Sequence, residues 1–366
     1  MHRTTFFRAT TIAIALAGLS GPAAGDGITD APPPSPDNSM LVSDVAESSP
    51  VLDAVARYAT YHSAVTSATS NDFASAIHID ETLSDLGGHN PDHLSQGWIA
   101  YAALIAAQNN DFRAAILDIE SFYGRDAVTR GFQNDIRYAG TLSGAETAVA
   151  ASVNAVRADR ERLVNAAGIV KDQAYSLQTK GWARNRIRNA TGRADGLMTM
   201  TQTGQAATLE ARNLVAAPDM NARLLQAGRR GAFSLWDAIS RPSDVAPDLT
   251  PDIAPEIDRQ IPLTVNLDSA DPAGRNLYFD RIATVAAFQL INDGTPETAA
   301  ISRAMRDRKA TSCMTMANLN LQQCVAASHR QYEVPFCIAE HAILDIGECI
   351  GGPENPAIVL SNGLSE

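Results

Sequence analysis

The chain has 366 residues, of which 45% are hydrophobic and 19% charged, with a formal net charge of -12 at pH 7. That apolar share supports a buried core, and the length allows two domains of ordinary size. The acidic balance argues against a general nucleic-acid binder.

Arg3 and Arg8 precede an apolar run from Ala9 to Leu19, which is followed by Gly21, Pro22, Ala23, Ala24 and Gly25. This order of charge, apolar run and small residues predicts a secretory signal peptide over 1–25, with cleavage before Asp26. Its loss removes two arginines and no acid, taking the formal charge from -12 to -14. The run falls short of the roughly 20 residues a membrane helix needs, and no later stretch approaches that length. The rest of the chain is expected to be periplasmic or secreted and not transmembrane. Lys171, Lys180 and Lys309 are its only lysines and alanine is abundant, as in a bacterial envelope protein from a GC-rich genome. Residues 26–50, with Pro32, Pro33, Pro34 and Pro36, read as a flexible leader.

The fold class expected for the remainder is all-α: an array or bundle of helical hairpins, a long heptad-patterned helix, then a disulfide-clamped C-terminal helical hairpin. Residues 51–240 form the first helical domain. In its first part Gly87 and Gly88 close one helix, while Asn90 and Pro91 cap and open the next. Trp98, Tyr101 and Ile105, then Phe112, Ala115 and Ile116, read as two short helices about an Asn109-Asn110 turn. This pair faintly resembles one tetratricopeptide unit, although Asp118 stands where that pattern has an aromatic and no clean repeat follows. The histidines His78, His89 and His93 lack the spacing of a helical metal site and read as surface or turn residues.

Ser143 is the expected N-cap of a long helix whose seam runs Val149, Val153, Val156, Arg160, Leu163, Ala167, Val170, Ala174, Leu177. An intramolecular bundle seam is the plainer reading of that stripe, and a coiled-coil homo-oligomer the alternative. Beyond it lies the segment KGWARNRIRNATGR. Lys180, Arg184, Arg186, Arg188 and Arg193 occur there with no acid before Asp195, and Trp182 and Ile187 supply apolar contacts. The plain reading is a solvated helix face. An intramolecular ion-pair surface is the other plain one, and the functional reading is a site for an anionic partner: lipid head groups, an acidic envelope polymer or protein, or the chain's own acidic linker.

Gly196-Leu197-Met198-Thr199-Met200 is similar to the Gly-Leu-Met-Gln motif of lytic transglycosylases, and Glu120-Ser121 resembles the Glu-Ser pair that carries their catalytic acid. The resemblance implies a cell-wall glycan-cleaving enzyme with Glu120 as its acid. In that family the two motifs lie close together, whereas here they lie far apart and Thr199 replaces the glutamine. Nucleotide-binding and serine-hydrolase fingerprints are absent, and no cofactor or metal is expected.

A helical stretch over about 209–239 ends at Pro242, and 241–275 reads as an acidic, proline-rich linker. A second helical domain, 276–352, contains Cys313, Cys324, Cys337 and Cys349, and 353–366 is a polar tail. An even cysteine count in an exported chain points to disulfides. Steps of eleven and twelve residues along a helix separate α-carbons by about 16–18 Å, too far for the about 7 Å a bridge allows. An antiparallel hairpin turning at 329–334 instead pairs Cys324 with Cys337 and Cys313 with Cys349. At about 100° per residue the second helix leaves Cys349 about 120° out of phase with Cys337.

The expected function is therefore an exported helical envelope protein, non-enzymatic, that binds or organises a protein or anionic partner. The alternative is a periplasmic cell-wall glycan hydrolase.

Overall fold

A computed structural model describes residues 49–240, 277–291 and 298–351. The readings of the signal peptide, almost all of the leader, the linker and the tail lie outside the described residues. Within them every regular element is helical, apart from one antiparallel bridge between Arg186 and Arg330.

The core is organised around α3 (Pro91–Ala106), whose buried residues include the run Gly97–Ala106. A helix apolar on all sides belongs at the centre of a bundle, and α1 (Pro50–Ser70), α6 (Ala145–Leu177), α11 (Leu277–Ile291) and α13 (Arg308–Ala327) all pack against it. Asn90 starts α3 by accepting from the backbone N–H groups of Asp92 and His93, with Pro91 in the first turn. Gly97 lets α1 come close, since a Cβ there would lie 2.9 Å from the Ala54 carbonyl oxygen and the Tyr58 Cβ. The Asn109-Asn110 turn leads into α4 (Asn110–Tyr123), whose first turn Asn109 caps through the Phe112 N–H. Then come α5 (Arg125–Asn134) and, after Gly144, α6.

The start of α6 differs from expectation: Gly144 at φ 77°, rather than Ser143, occupies the N-cap, and no side chain caps the helix. Along α6 the residues Val149, Val156, Leu163, Ala167, Val170, Ala174 and Leu177 are buried within the chain. That face is spent on α1, α3 and the C-terminal helices. Arg160 is half-buried and stands at the edge of a small groove of about 90 Å³, together with Trp98, Val156, Arg157 and Tyr278. The 209–239 stretch is three short helices, α8 (Leu209–Val215), α9 (Met220–Ala227) and α10 (Leu235–Ser240), interrupted near Pro218 and by Gly228–Ser234.

The stretches on either side of 241–275, read from sequence as separate helical domains, share one hydrophobic core. Here α11 packs on α3 and α4, and α13 packs on α3 and on α7 (Ala190–Thr203). The burial of α3 on all sides requires this, because 51–240 alone leaves part of that helix uncovered.

After α12 (Thr298–Met305) and α13, the chain turns at 328–333 and runs through α14 (Val334–Cys337), a π-helical stretch (Ile338–Leu344) and α15 (Asp345–Cys349). Cys313 is bonded to Cys349 and Cys324 to Cys337, each pair with α-carbons 5.6 Å apart. The π stretch supplies the phase that a regular helix lacks. Its i→i+5 bonds put more residues in each turn, so each advances by less than 100°. Over seven residues that lag offsets the excess rotation, and Cys349 faces α13 alongside Cys337.

Candidate anion-binding cleft

The basic segment does not form the helix face that its charge pattern suggested. After α6 it makes a single 3-10 turn at Trp182–Arg184, turns extended at Asn185, forms the bridge at Arg186 and bends at Arg188 before entering α7. The extended part is clipped to the loop after α13. The Ile187 N–H donates to the His329 carbonyl at 3.0 Å, and the Gln331 N–H donates to the Asn185 carbonyl at 3.3 Å. Ile187 is half-buried and packs against the core, whereas Arg186 and Arg188 are exposed.

Asn189 ends the extended run and caps α7, its side-chain oxygen accepting from the Gly192 N–H at 3.0 Å. The cap needs glycine at 192, because a Cβ there would fall 2.1 Å from the Asn189 Nδ2. Together Asn185, Arg186, Ile187, Arg188, Asn189, Gly192, Arg193 and Gln331 border an open cleft of about 870 Å³. One of its walls, Gln331, belongs to the loop closed by the Cys324–Cys337 bond.

The sequence-predicted residues divide by role. Arg193 is engaged, donating to Asp80 at 3.0 Å and to the Gln331 side chain at 3.1 Å. Arg184 is also spent, on the carbonyls of Gln178 and Thr179 at the end of α6. Trp182 is half-buried against the core and Lys180 is exposed outside the cleft. Arg186 and Arg188 are exposed, and among the described residues neither makes an ion pair. Arg330, which the sequence reading passed over, adds a further guanidinium beside the segment and donates to the Arg184 carbonyl at 2.5 Å. The nearest acid on that loop, Glu333, is turned inward to accept from the backbone N–H groups of His329 and Arg330.

No protein-family model, curated protein or solved structure matches the chain.

The remaining candidates do not assemble. Glu120 on α4 is paired with Arg125 at 2.7 Å. Its helix packs mainly on α11, α5 and α6, whereas the Gly196–Met200 motif lies on α7, which packs on α13 and α2 (Ala76–Gly87). The two halves of the transglycosylase-like pattern thus stand on helices with different neighbours. Among the described residues no group of three His, Cys, Asp or Glu side chains could hold a metal ion. His78 and His93 are half-buried, whereas His89, expected at the surface, is 3% exposed and burial pushes its ring down to about 4.

A buried polar cluster went unread in the sequence. Asp159 on α6 is fully enclosed and accepts from Tyr58 Oη at 2.9 Å, Trp236 Nε1 at 2.9 Å and Ser234 Oγ at 2.6 Å. Burial raises its carboxyl to about 6, against the pull of those three donors. One turn on, Arg162 bonds Asp237 at 2.7 Å, His62 Nδ1 at 2.9 Å and Thr66 Oγ1 at 2.7 Å. His62 stacks on Trp236 with ring centres 5.0 Å apart, and burial, then Arg162, holds its ring well below the ordinary histidine value. With its members at most a few percent exposed apart from Asp237 and Thr66, the cluster is a lock joining α1, α6 and α10.

Proposed function

We propose that this is an exported, non-enzymatic helical binding protein whose basic cleft holds an anionic partner. The observation that carries the reading is the pair Arg186 and Arg188. In a chain of net charge -12 they stand exposed at a cleft, side by side and with no acidic partner among the described residues. Surface cations in an acidic protein ordinarily find local acids. Here both line the same cleft, on a segment anchored by the Asn189 cap and by backbone hydrogen bonds to the disulfide-closed loop. Export is supported by the N-terminal charge and apolar pattern and by the two disulfides, which belong to oxidising compartments. Among the described residues no helix is long and apolar enough to cross a membrane.

Retention on a sulfonate cation-exchange matrix, run below the isoelectric point of this acidic chain so that the protein binds, tests the reading. The double variant Arg186→Gln/Arg188→Gln should elute at much lower salt than the unaltered protein. Arg229→Gln/Arg230→Gln, the same charge change at another exposed site, should leave elution nearly unchanged. Equal shifts in the two variants would show that net charge alone governs binding and would remove the cleft from consideration.

A further inference from the structure

The bridge between the basic segment and the disulfide loop carries an unusual pairing. Arg186 and Arg330 are its two members. The hydrogen bonds run from Ile187 to His329 and from Gln331 to Asn185, so the pair itself is the non-hydrogen-bonded kind. In that register opposed α-carbons approach to about 4.5 Å and side chains are at their closest. Like charges directly opposite one another destabilise such a pair. Arg330 is drawn off to the Arg184 carbonyl, and Arg186 is left facing the cleft beside Arg188.

The cleft is thus rich in donors. Its polar lining comprises the arginines Arg186, Arg188 and Arg193 and the amide residues Asn185, Asn189 and Gln331. The Asn189 and Gln331 side-chain oxygens are already taken by Gly192 and Arg193. A planar carboxylate offers two oxygens to such a set, whereas a phosphoryl group offers three strong acceptors arranged tetrahedrally and carries more charge. Guanidinium forks match that geometry in a bidentate way that a point charge does not.

Building on the anion-binding reading above, we infer that the cleft recognises the phosphoryl group of a water-soluble ligand, a phosphate ester or diphosphate, clamped by Arg186 and Arg188. Arg193, fixed by Asp80 and Gln331, forms the wall behind them. A soluble source fits better than a lipid surface, because the site is concave and its only large apolar residue, Ile187, packs inward. A membrane-docking patch needs apolar side chains facing out.

Calorimetric titration of the purified protein with inorganic pyrophosphate and with tricarballylate, at low salt, separates the outcomes. Pyrophosphate should bind at least about tenfold more tightly, the margin of one additional charge-assisted hydrogen bond. Arg186→Lys/Arg188→Lys, which keeps the charge and loses the forks, should weaken pyrophosphate by a similar factor with an unchanged circular-dichroism spectrum. Arg186→Gln/Arg188→Gln should abolish binding. If the tricarboxylate binds equally well and both ligands depend on the two arginines, the phosphoryl assignment is overturned while the anion site stands. Should neither ligand bind, or neither respond to the arginine variants, both readings fail. Binding to phosphatidylglycerol vesicles in the absence of pyrophosphate binding would overturn the soluble source.

Discussion

Replacing Asp159 by alanine should destabilise the protein in a pH-dependent way. The change removes the acceptor for Tyr58, Trp236 and Ser234, all within 2.9 Å. Three buried hydrogen bonds to an ionised acceptor, each worth about 2 kcal/mol, amount to about 6 kcal/mol. Against this, burial raises the carboxyl from 3.8 to about 6, and the linked cost of keeping it ionised at pH 7 is about 3 kcal/mol. The raised value already contains the effect of those three bonds, so the two figures do not subtract, and the loss at pH 7 is smaller than about 6 kcal/mol. A carboxyl whose folded value is raised binds its proton more tightly in the native state. Its contribution to stability is therefore fully present below the unfolded value and falls away as pH rises through the folded one. Between pH 7 and pH 5 the unaltered protein recovers about 1 kcal/mol of the penalty, and the gap to the variant widens by that amount. Urea unfolding of both proteins at the two pH values measures it. A gap that stays constant, or narrows on acidification, would show that Asp159 is not held as a buried, proton-retaining carboxylate.

The buried His89 acts in the opposite sense. Its ring is pushed down to about 4, so the unfolded chain takes up a proton first, and about 2 kcal/mol should be lost from pH 7 to pH 5; His89→Gln should flatten that part of the urea-midpoint profile. The Cys313–Cys349 and Cys324–Cys337 bonds close segments of 36 and 13 residues, and chain entropy gives about 4 and about 3 kcal/mol for their removal. Denaturant midpoints of the paired serine variants would test these values. Cys324→Ser/Cys337→Ser should in addition weaken retention on the cation exchanger, because Gln331 then loses its anchored loop. Gly97→Ala should cost about 1–3 kcal/mol by forcing α1 off α3. At the exposed helical Gly168, where a Cβ meets nothing within 4 Å, alanine should raise stability by about 0.5–1 kcal/mol; thermal melts of both variants, moving in opposite directions, check the pair.

The helical character of the chain was legible because its punctuation is local: Asn90-Pro91, Asn109-Asn110 and Gly87-Gly88 act on their own neighbours. The single shared core was not legible, since nothing in the 277–291 sequence names α3 as its partner. The phase of Cys349 depends on a π stretch, and no regular periodicity predicts one. On α6 a heptad count singled out Arg160 as the charge within the seam. The buried face is wider than that stripe and takes in Asp159 and Arg162, while Arg160 stands at its margin. The basic segment drew attention by charge alone. Its extended form comes from hydrogen bonds to His329 and Gln331, well over a hundred residues away in sequence, and those contacts divide Arg186 and Arg188 from Arg184 and Arg193.

Whether the cleft is where anions bind is decided most directly by mapping the contact residue by residue. In the purified protein at low salt, pyrophosphate added during nuclear magnetic resonance should move the arginine side-chain signals of Arg186 and Arg188 and the backbone amides of Ile187 and Gln331. Signals of the exposed Arg229 and Arg230 should stay in place. Shifts spread over those distant arginines, with Arg186 and Arg188 unmoved, would contradict the site.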